Sequence, residues 1–229
     1  MRRLRAGILT TGLAAAILVL PPPSNADRAG YYVGGDVGLG KADIGTGELR
    51  GALQTAFDAA GADLTLRPTS ADQDDLVYGA LVGYRLSEFL AFEGQYLWLG
   101  EYALTADVVA TKGGNTADGE VAGRWHVKGP ALSVVGSWPL SSRWDVYGRA
   151  GALWAEMDAT LQWQGGSPDE RAKIRETTTE LIWGIGAAYH ASPQWTVRLE
   201  YQQVPGVGDS ARSGELDIER YTLNWVYSY

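Results

Sequence analysis

The sequence ends on Glu219-Arg-Tyr-Thr-Leu-Asn-Trp-Val-Tyr-Ser-Tyr229, and the reading of this stretch decides the fold. In steps of two, Tyr221, Leu223, Trp225, Tyr227 and Tyr229 make one large, mostly aromatic set. Arg220, Thr222, Asn224, Val226 and Ser228 fall between them and are mostly small or polar. A period of two marks a strand whose two faces meet different surroundings. The question is which surroundings receive the aromatic face.

The same alternation recurs upstream. It runs over 31–40, 76–85, 90–98, 132–138, 144–154, 181–189 and 195–202, and the terminal segment makes eight. Each spans about ten residues between aromatic ends, the length a tilted strand needs to cross a bilayer. Apolar spacing of three and four, which a helix requires, is missing from these segments. Three connectors are tight: Leu86 to Glu88, Pro139 to Arg143 and Ala191 to Gln194. They alternate with long ones: Ala42 to Asp75, Glu101 to Gly123, Ala155 to Thr178 and Val204 to Asp217. Strict short–long alternation predicts an all-β, eight-stranded antiparallel up-and-down transmembrane β-barrel, with short periplasmic turns and long extracellular loops. A soluble sandwich or lipocalin-like barrel is the alternative. It would turn its large apolar residues inward, whereas here the opposite face carries Gly, Ser, Asp, Glu and Arg, a poor filling for a dry core. Hydrocarbon tolerates no open sheet edge, so the first strand must pair with the last.

The beginning of the chain supports export. Arg2, Arg3 and Arg5 precede an apolar run from Ala6 to Leu20, and 21–26 reads Pro-Pro-Pro-Ser-Asn-Ala. Residues 1–26 therefore read as a secretory signal peptide and 27–229 as one outer-membrane domain. All 27 acids lie beyond residue 26, while three of the 19 bases precede it, so the body is more acidic than the −8 of the whole chain. That balance argues against a nucleic-acid partner. There is no cysteine, so thiolate metal sites and cysteine nucleophiles are excluded. Nine Trp and twelve Tyr against three Phe favour rings with a polar handle, which suit a water–lipid boundary. Tyr31, Tyr84, Trp98, Trp125, Trp138, Trp144, Trp154, Tyr189, Trp195 and Tyr201 are the predicted aromatic girdles.

The stretches 79–100 (GALVGYRLSEFLAFEGQYLWLG), 145–154 (DVYGRAGALW), 195–203 (WTVRLEYQQ) and 31–40 (YYVGGDVGLG) resemble the OmpA-like transmembrane domain, a family of small outer-membrane barrels. The resemblance implies integral placement in the outer membrane of a Gram-negative cell. It implies an assembly signal, Tyr221, Leu223, Trp225, Tyr227 and Tyr229, read by the barrel-assembly machinery. The sequence stops at the predicted last strand, so the family's frequent periplasmic peptidoglycan-binding module, and with it cell-wall tethering, is not an expectation for it. The family packs charge inside the barrel, and Glu93, Arg149, Arg198 and Glu200 match its interior positions. Alternation adds Asp36, Arg85, Asp145 and Arg220 on the same side. Four acids and four bases in a narrow lumen should pair strongly, and eight strands leave an interior that side chains just fill. Val135 and Ala188 stand where the family often has a lysine and a glutamate, which removes the basis for a two-state acid–base gate.

These features suggest a non-enzymatic barrel that supports envelope integrity and presents its loops to an extracellular ligand, with a lumen plugged by charge pairs. A small-solute, porin-like pore and a lipid A-modifying barrel enzyme are the other readings. Ser/His hydrolysis needs a nucleophile, a base and an orienting acid in contact. Of the two histidines, His126 falls near the outer rim and His190 at a periplasmic turn, two residues before Ser192. No catalytic residue, cofactor or metal is expected. The run GGDVGLGK (34–41) mimics a phosphate loop, but no helix follows it. Leu49, Leu53 and Phe57 share one face of a short helix candidate in the first long connector. Asp72, Asp74 and Asp75 fit no defined calcium-loop spacing. Arg124 and Lys128 flank Trp125 at a height suited to lipid or lipopolysaccharide phosphates.

Overall fold

The computed structural model describes residues 30–44, 63–112, 115–164, 170–208 and 216–229. The signal-peptide segment and the helix candidate around Leu49, Leu53 and Phe57 lie outside the described residues. Within them are β1 (Gly30–Ile44), β2 (Asp63–Asp72), β3 (Asp74–Arg85), β4 (Leu90–Lys112), β5 (Asn115–Pro139), β6 (Trp144–Gln164), β7 (Glu170–His190), β8 (Trp195–Val207) and β9 (Leu216–Ser228). Eight of these close a barrel in the order β3-β1-β9-β8-β7-β6-β5-β4 and back to β3, every pair antiparallel. The seam joins β1 to β9, with Val37 opposite Leu223 and Tyr32 opposite Ser228. The fold is the predicted all-β, eight-stranded barrel.

The three tight turns share one construction. Leu86, Leu140 and Ala191 each donate a backbone N–H to the first residue of the next strand, at 2.9, 2.8 and 2.9 Å. A serine follows each of them, and Ser141 and Ser192 accept the N–H of Trp144 and Trp195 at 3.2 and 3.0 Å, while Ser87 accepts that of Phe89 at 3.3 Å. The hydroxyl replaces a ladder partner where the backbone reverses.

On the lipid side, the alternating large residues stand outward. Leu39, Leu132, Ile185 and Leu199 expose 66%, 59%, 59% and 65% of their surface, a pattern that only a hydrocarbon solvent explains. Ring pairs bound this band. Tyr31–Tyr84, Trp144–Tyr189 and Trp195–Tyr227 lie at the turn end, with centroids 4.8, 4.9 and 5.1 Å apart. Tyr78–Trp98 and Tyr201–Tyr221 lie at the other, 4.9 and 5.1 Å apart.

Two expectations change. The connectors expected as loops at 101–123 and 155–178 are largely ladder: β4–β5 pairing continues to Lys112–Asn115, and β6–β7 pairing to Trp163–Glu170. Strands β4 to β7 have 23, 25, 21 and 21 residues, about twice the 9–11 that a bilayer requires. They rise beyond the lipid as a wall, with β2 added along β4 from Asp63–Thr111 to Asp72–Ala103. The β7–β8 ladder stops at Trp183–Gln203, so the described wall stands on one side of the barrel. At its base the register shifts between Trp98 and Gly100, and Gly100 takes φ +106°, which a side chain would strain.

The second change concerns the phase of the alternation. Below the outer aromatic ring the apolar set faces lipid; above it, on β4, β5, β6 and β9, the apolar set faces inward. On β6, Trp154 is the last large outward ring, after which Glu156 and Asp158 point out while Ala155, Met157 and Ala159 are buried. On β9, Asp217 and Glu219 are outward and Leu216 and Ile218 buried, whereas Tyr221 and Leu223 are outward and Arg220 and Thr222 buried. Each face follows its solvent: hydrocarbon below, water above.

The lumen as candidate functional site

The phase change divides the lumen into two tiers. The lower tier carries the charges. Glu93 on β4 is the hub: it accepts from Tyr32 Oη at 2.7 Å, Arg149 Nη2 at 2.7 Å and Arg198 Nη1 at 2.6 Å. Arg149 Nε also lies 2.5 Å from Glu200 Oε1, off the N–H direction, so that contact is electrostatic rather than a hydrogen bond. Tyr147 Oη donates to Glu200 Oε2 at 3.0 Å. The Arg198 guanidinium sits over the rings of Tyr32 and Tyr147, 5.4 and 5.3 Å from their centroids. The side chains of Glu93, Arg149 and Glu200 are 0% exposed and that of Arg198 5%, so each charge depends on the others for solvation.

The remaining predicted lumen charges stand apart. Arg220 donates to Asp36 Oδ1 at 2.5 Å across the seam and to the amide oxygen of Gln202. Asp145 meets His190 Nε2 at 2.8 Å, and His190 Nδ1 lies 3.0 Å from Thr196 Oγ1. Arg85 is half-buried at the turn-end mouth, its guanidinium 5.8 Å from the centre of the Tyr32 ring. All eight charges are buried or half-buried on the inward face, four of them expected there from the resemblance and four from alternation, and the structure joins Glu93, Arg149, Arg198 and Glu200 into one network. The sequence reading missed Tyr32 and Tyr147, which were counted with the polar face without regard to their hydroxyls.

The upper tier is mainly apolar, with Glu176, Thr178 and Glu180 of β7 on the same inward face, opposite Met157, Ala155 and Leu153. Leu97, Leu99, Tyr102, Val127, Leu153 and Ile182 are 0% exposed, and Trp125 1%. The assignment of Trp125 to a girdle is corrected: it is among the largest fully buried side chains and packs inside this core. Its position lies beyond the lipid band, where the inward face is the dry one. Arg124 and His126 beside it do face outward, as does Lys128. The other predicted girdle residues are exposed or half-buried on the lipid side.

The weaker candidates resolve simply. His190 places its two ring nitrogens on Thr196 and Asp145, while Ser192 Oγ accepts the N–H of Gln194 and Trp195 in the turn, so His190 and Ser192 form no nucleophile–base pair. Thr196 touches the histidine but is 5% exposed within the β8 ladder, without free backbone N–H groups to receive an oxyanion. Asp75 accepts from Leu76 N at 2.7 Å and Glu101 N at 2.6 Å, pinning the bulge at Gly100 rather than holding an ion. Among the described residues no three His, Asp or Glu side chains converge as metal ligands.

On the wall, Glu101, His126, Asp158 and Arg175 form one cross-strand row. Arg175 Nε bonds Asp158 Oδ1 at 2.6 Å and holds that carboxyl below the usual aspartate range. The two side chains are 81% and 40% exposed, so water and salt screen the pair. Arg175→Ala is expected to leave the urea midpoint of the folded barrel unchanged. A clear loss of stability would show that the wall depends on this pair.

A family model for the OmpA-like transmembrane domain matches residues 26–229. The chain belongs to this family. OmpA-like relatives include Outer membrane protein A of Yersinia pseudotuberculosis, 33% identical over 147 residues, 64% of this chain and 37% of that protein. Outer membrane protein A of Serratia marcescens is 29% identical over 147 residues, again 64% of this chain and 36% of the relative. The chain therefore spans little more than a third of the length of these OmpA relatives. Among solved structures, Neisserial surface protein A covers 87% of this chain and 97% of its own, with a TM-score of 0.48 at 13% identity. As an OmpA-like barrel, the protein is integral to the outer membrane.

Proposed function

We propose that this OmpA-like barrel is a non-enzymatic envelope component, with a sealed lumen and a stiff extracellular wall that presents a surface to partners. The observation that supports it best is the filling of the lumen: a buried ion-pair network beneath a mainly apolar core. Side chains fill both tiers, which supports a closed lumen, and no nucleophile, base and oxyanion donor come together among the described residues. Outer-membrane lipids are the first partners. Arg124 and Lys128, outward and just above the outer ring pairs, suit the phosphates of lipopolysaccharide. The aromatic face of β9 suits recognition by the barrel-assembly machinery. A ligand for the wall completes the reading.

Planar-bilayer recording tests the sealed lumen. The purified barrel is expected to give no steady single-channel openings above baseline, and reproducible openings would favour the small-solute pore. Mass spectrometry of lipid A from cells with and without the protein tests the enzymatic alternative, and an unchanged mass profile is expected. Loss of the gene is expected to raise sensitivity to detergent. Unaltered sensitivity would remove the envelope role.

A further inference from the structure

Beyond the outer aromatic ring, β7 carries an unpaired backbone edge. The β7–β8 ladder stops at Trp183–Gln203. Continued in the same register, it would set Leu181 against Pro205, which has no N–H to give. There β8 shifts register against β9 between Val204 and Val207, with Gly206 at φ +68°. Strand β8 ends at Val207, whereas β7 continues to Glu170.

The direction of the edge follows from the turn. His190 N donates to Arg143 O on the β6 side, and Ala191 N to Trp195 O on the β8 side. The β6–β7 register runs without a shift from Trp144–Tyr189 to Trp163–Glu170, so the peptide groups alternate sides along it. Lys173, Arg175, Thr177, Thr179 and Leu181 therefore turn their N–H and C=O groups away from β6. Among the described residues no strand meets them. Their side chains are outward and exposed. Thr179 opposes Trp154, the last outward ring of β6, so the edge rises from the lipid boundary into water.

A long, regular edge is a template for another strand, and proteins usually blunt it with proline, a bulge or shortness. From Glu170 to His190, β7 has no proline and its ladder with β6 no bulge. Thr177-Thr178-Thr179 favours the extended state. The inward side chains supply selectivity. Glu176 and Glu180 flank Thr178 on that face. A strand laid against the edge sets its own inward side chains beside them. An acidic strand, a second β7 included, would crowd like charges there. Basic side chains spaced like the two acids would meet both carboxylates.

We infer that the β7 edge is a docking site for an extended basic segment of another protein, added as an antiparallel strand with its cationic side chains toward Glu176 and Glu180. The backbone supplies affinity and the two acids choose the partner. The net charge of −8 draws such a segment in. This inference rests on the reading of the wall as a surface for partners and names the place and chemistry of the contact.

The probe is the dye-labelled peptide Thr-Lys-Thr-Val-Thr-Lys-Thr, offered to the folded barrel in detergent micelles. Laid opposite Leu181 to Arg175, its threonines face the free peptide groups and its lysines face Glu180 and Glu176. Fluorescence anisotropy is expected to show saturable binding, and the same peptide with Glu for Lys to show none. N-methylation of the two threonines beside the valine removes donors aimed at β7 and is expected to weaken binding by about ten-fold. N-methylation of the valine, whose N–H points away, is expected to leave binding unchanged. Thr177→Pro deletes an N–H that β6 does not use, where an edge strand tolerates proline. It is expected to weaken binding similarly and keep the heat-modifiable shift. If that variant does not fold, the methylated peptides carry the test. No binding to the unmodified barrel, or equal affinity of the two methylated peptides, would overturn the site. Folded dimers that Thr177→Pro dissolves would put a second copy on the edge and overturn the basic partner. Bilayer recording is separate: silent bilayers without peptide binding sink the edge site alone, while steady openings with binding sink the sealed lumen alone.

Discussion

Glu93→Ala is expected to destabilise the folded barrel by about 3–5 kcal/mol, the cost of removing one partner from a buried charge network. The carboxylate receives Tyr32, Arg149 and Arg198 at 2.6–2.7 Å. Without it, the guanidinium of Arg198 keeps only the faces of two tyrosine rings, and that of Arg149 keeps only Glu200. Neither can reach bulk water, because both residues are 4% exposed. Urea unfolding in lipid vesicles measures the loss. The double variant Glu93→Ala/Arg198→Ala should lose less than the sum of the two single changes, by ~1 kcal/mol or more, because it also removes the stranded cation. Additive losses would mean that the two side chains do not interact, and the hub would be wrong.

The second large effect is expected at the seam. Gly38 faces Thr222 on β9 and Val77 on β3. A Cβ there would fall on the carbonyl oxygen of Tyr221 and come within 2.7 Å of Thr222 Cα. Both are backbone atoms of the partner strand, which cannot yield without parting the ladder. Gly38→Val should therefore prevent closure, and its unboiled sample should migrate on a gel like the boiled one. Gly136→Val is the contrast. Nothing lies within 4 Å of its Cβ position, and the residue is exposed on the lipid face. That variant should keep the heat-modifiable shift. Valine favours strands over glycine at both sites, so propensity alone predicts gains at both. Normal migration of Gly38→Val would show that the first and last strands are not this closely paired.

Much of this was legible in the sequence for a simple physical reason. Within lipid the solvent is uniform, so one rule sorts both faces of every strand. That rule placed Asp36, Asp145 and Arg220 inside and Leu199, Tyr221 and Trp225 outside, and the family resemblance added Glu93, Arg149, Arg198 and Glu200 to the inner set. It failed where the solvent changes. Trp125 was read as a rim ring because it is aromatic, but the residues beside it, Arg124 and His126, already show the outward face to be polar at that height. The inversion was written in Leu153-Trp154-Ala155-Glu156-Met157-Asp158, where the larger apolar residue passes from the even to the odd positions after Trp154. The ladder beyond Glu101 was less legible. Residues 101–123 are rich in Gly, Ala, Thr and Asp, as loops are, and only the pairing partner reveals them as strand. Which charges meet which was not legible at all, since alternation gives the face and not the distance across it.

The bond between Arg220 and Asp36 links residues 184 positions apart in the chain. It joins the final strand to the opening one, so it comes into being only when the cylinder is complete. Until then the guanidinium, 0% exposed in the finished protein, lacks the carboxylate that neutralises it. A partly zipped intermediate is thereby penalised, and a completed one is rewarded in a single step. The clasp makes assembly cooperative, discouraging half-built sheets from persisting in the bilayer.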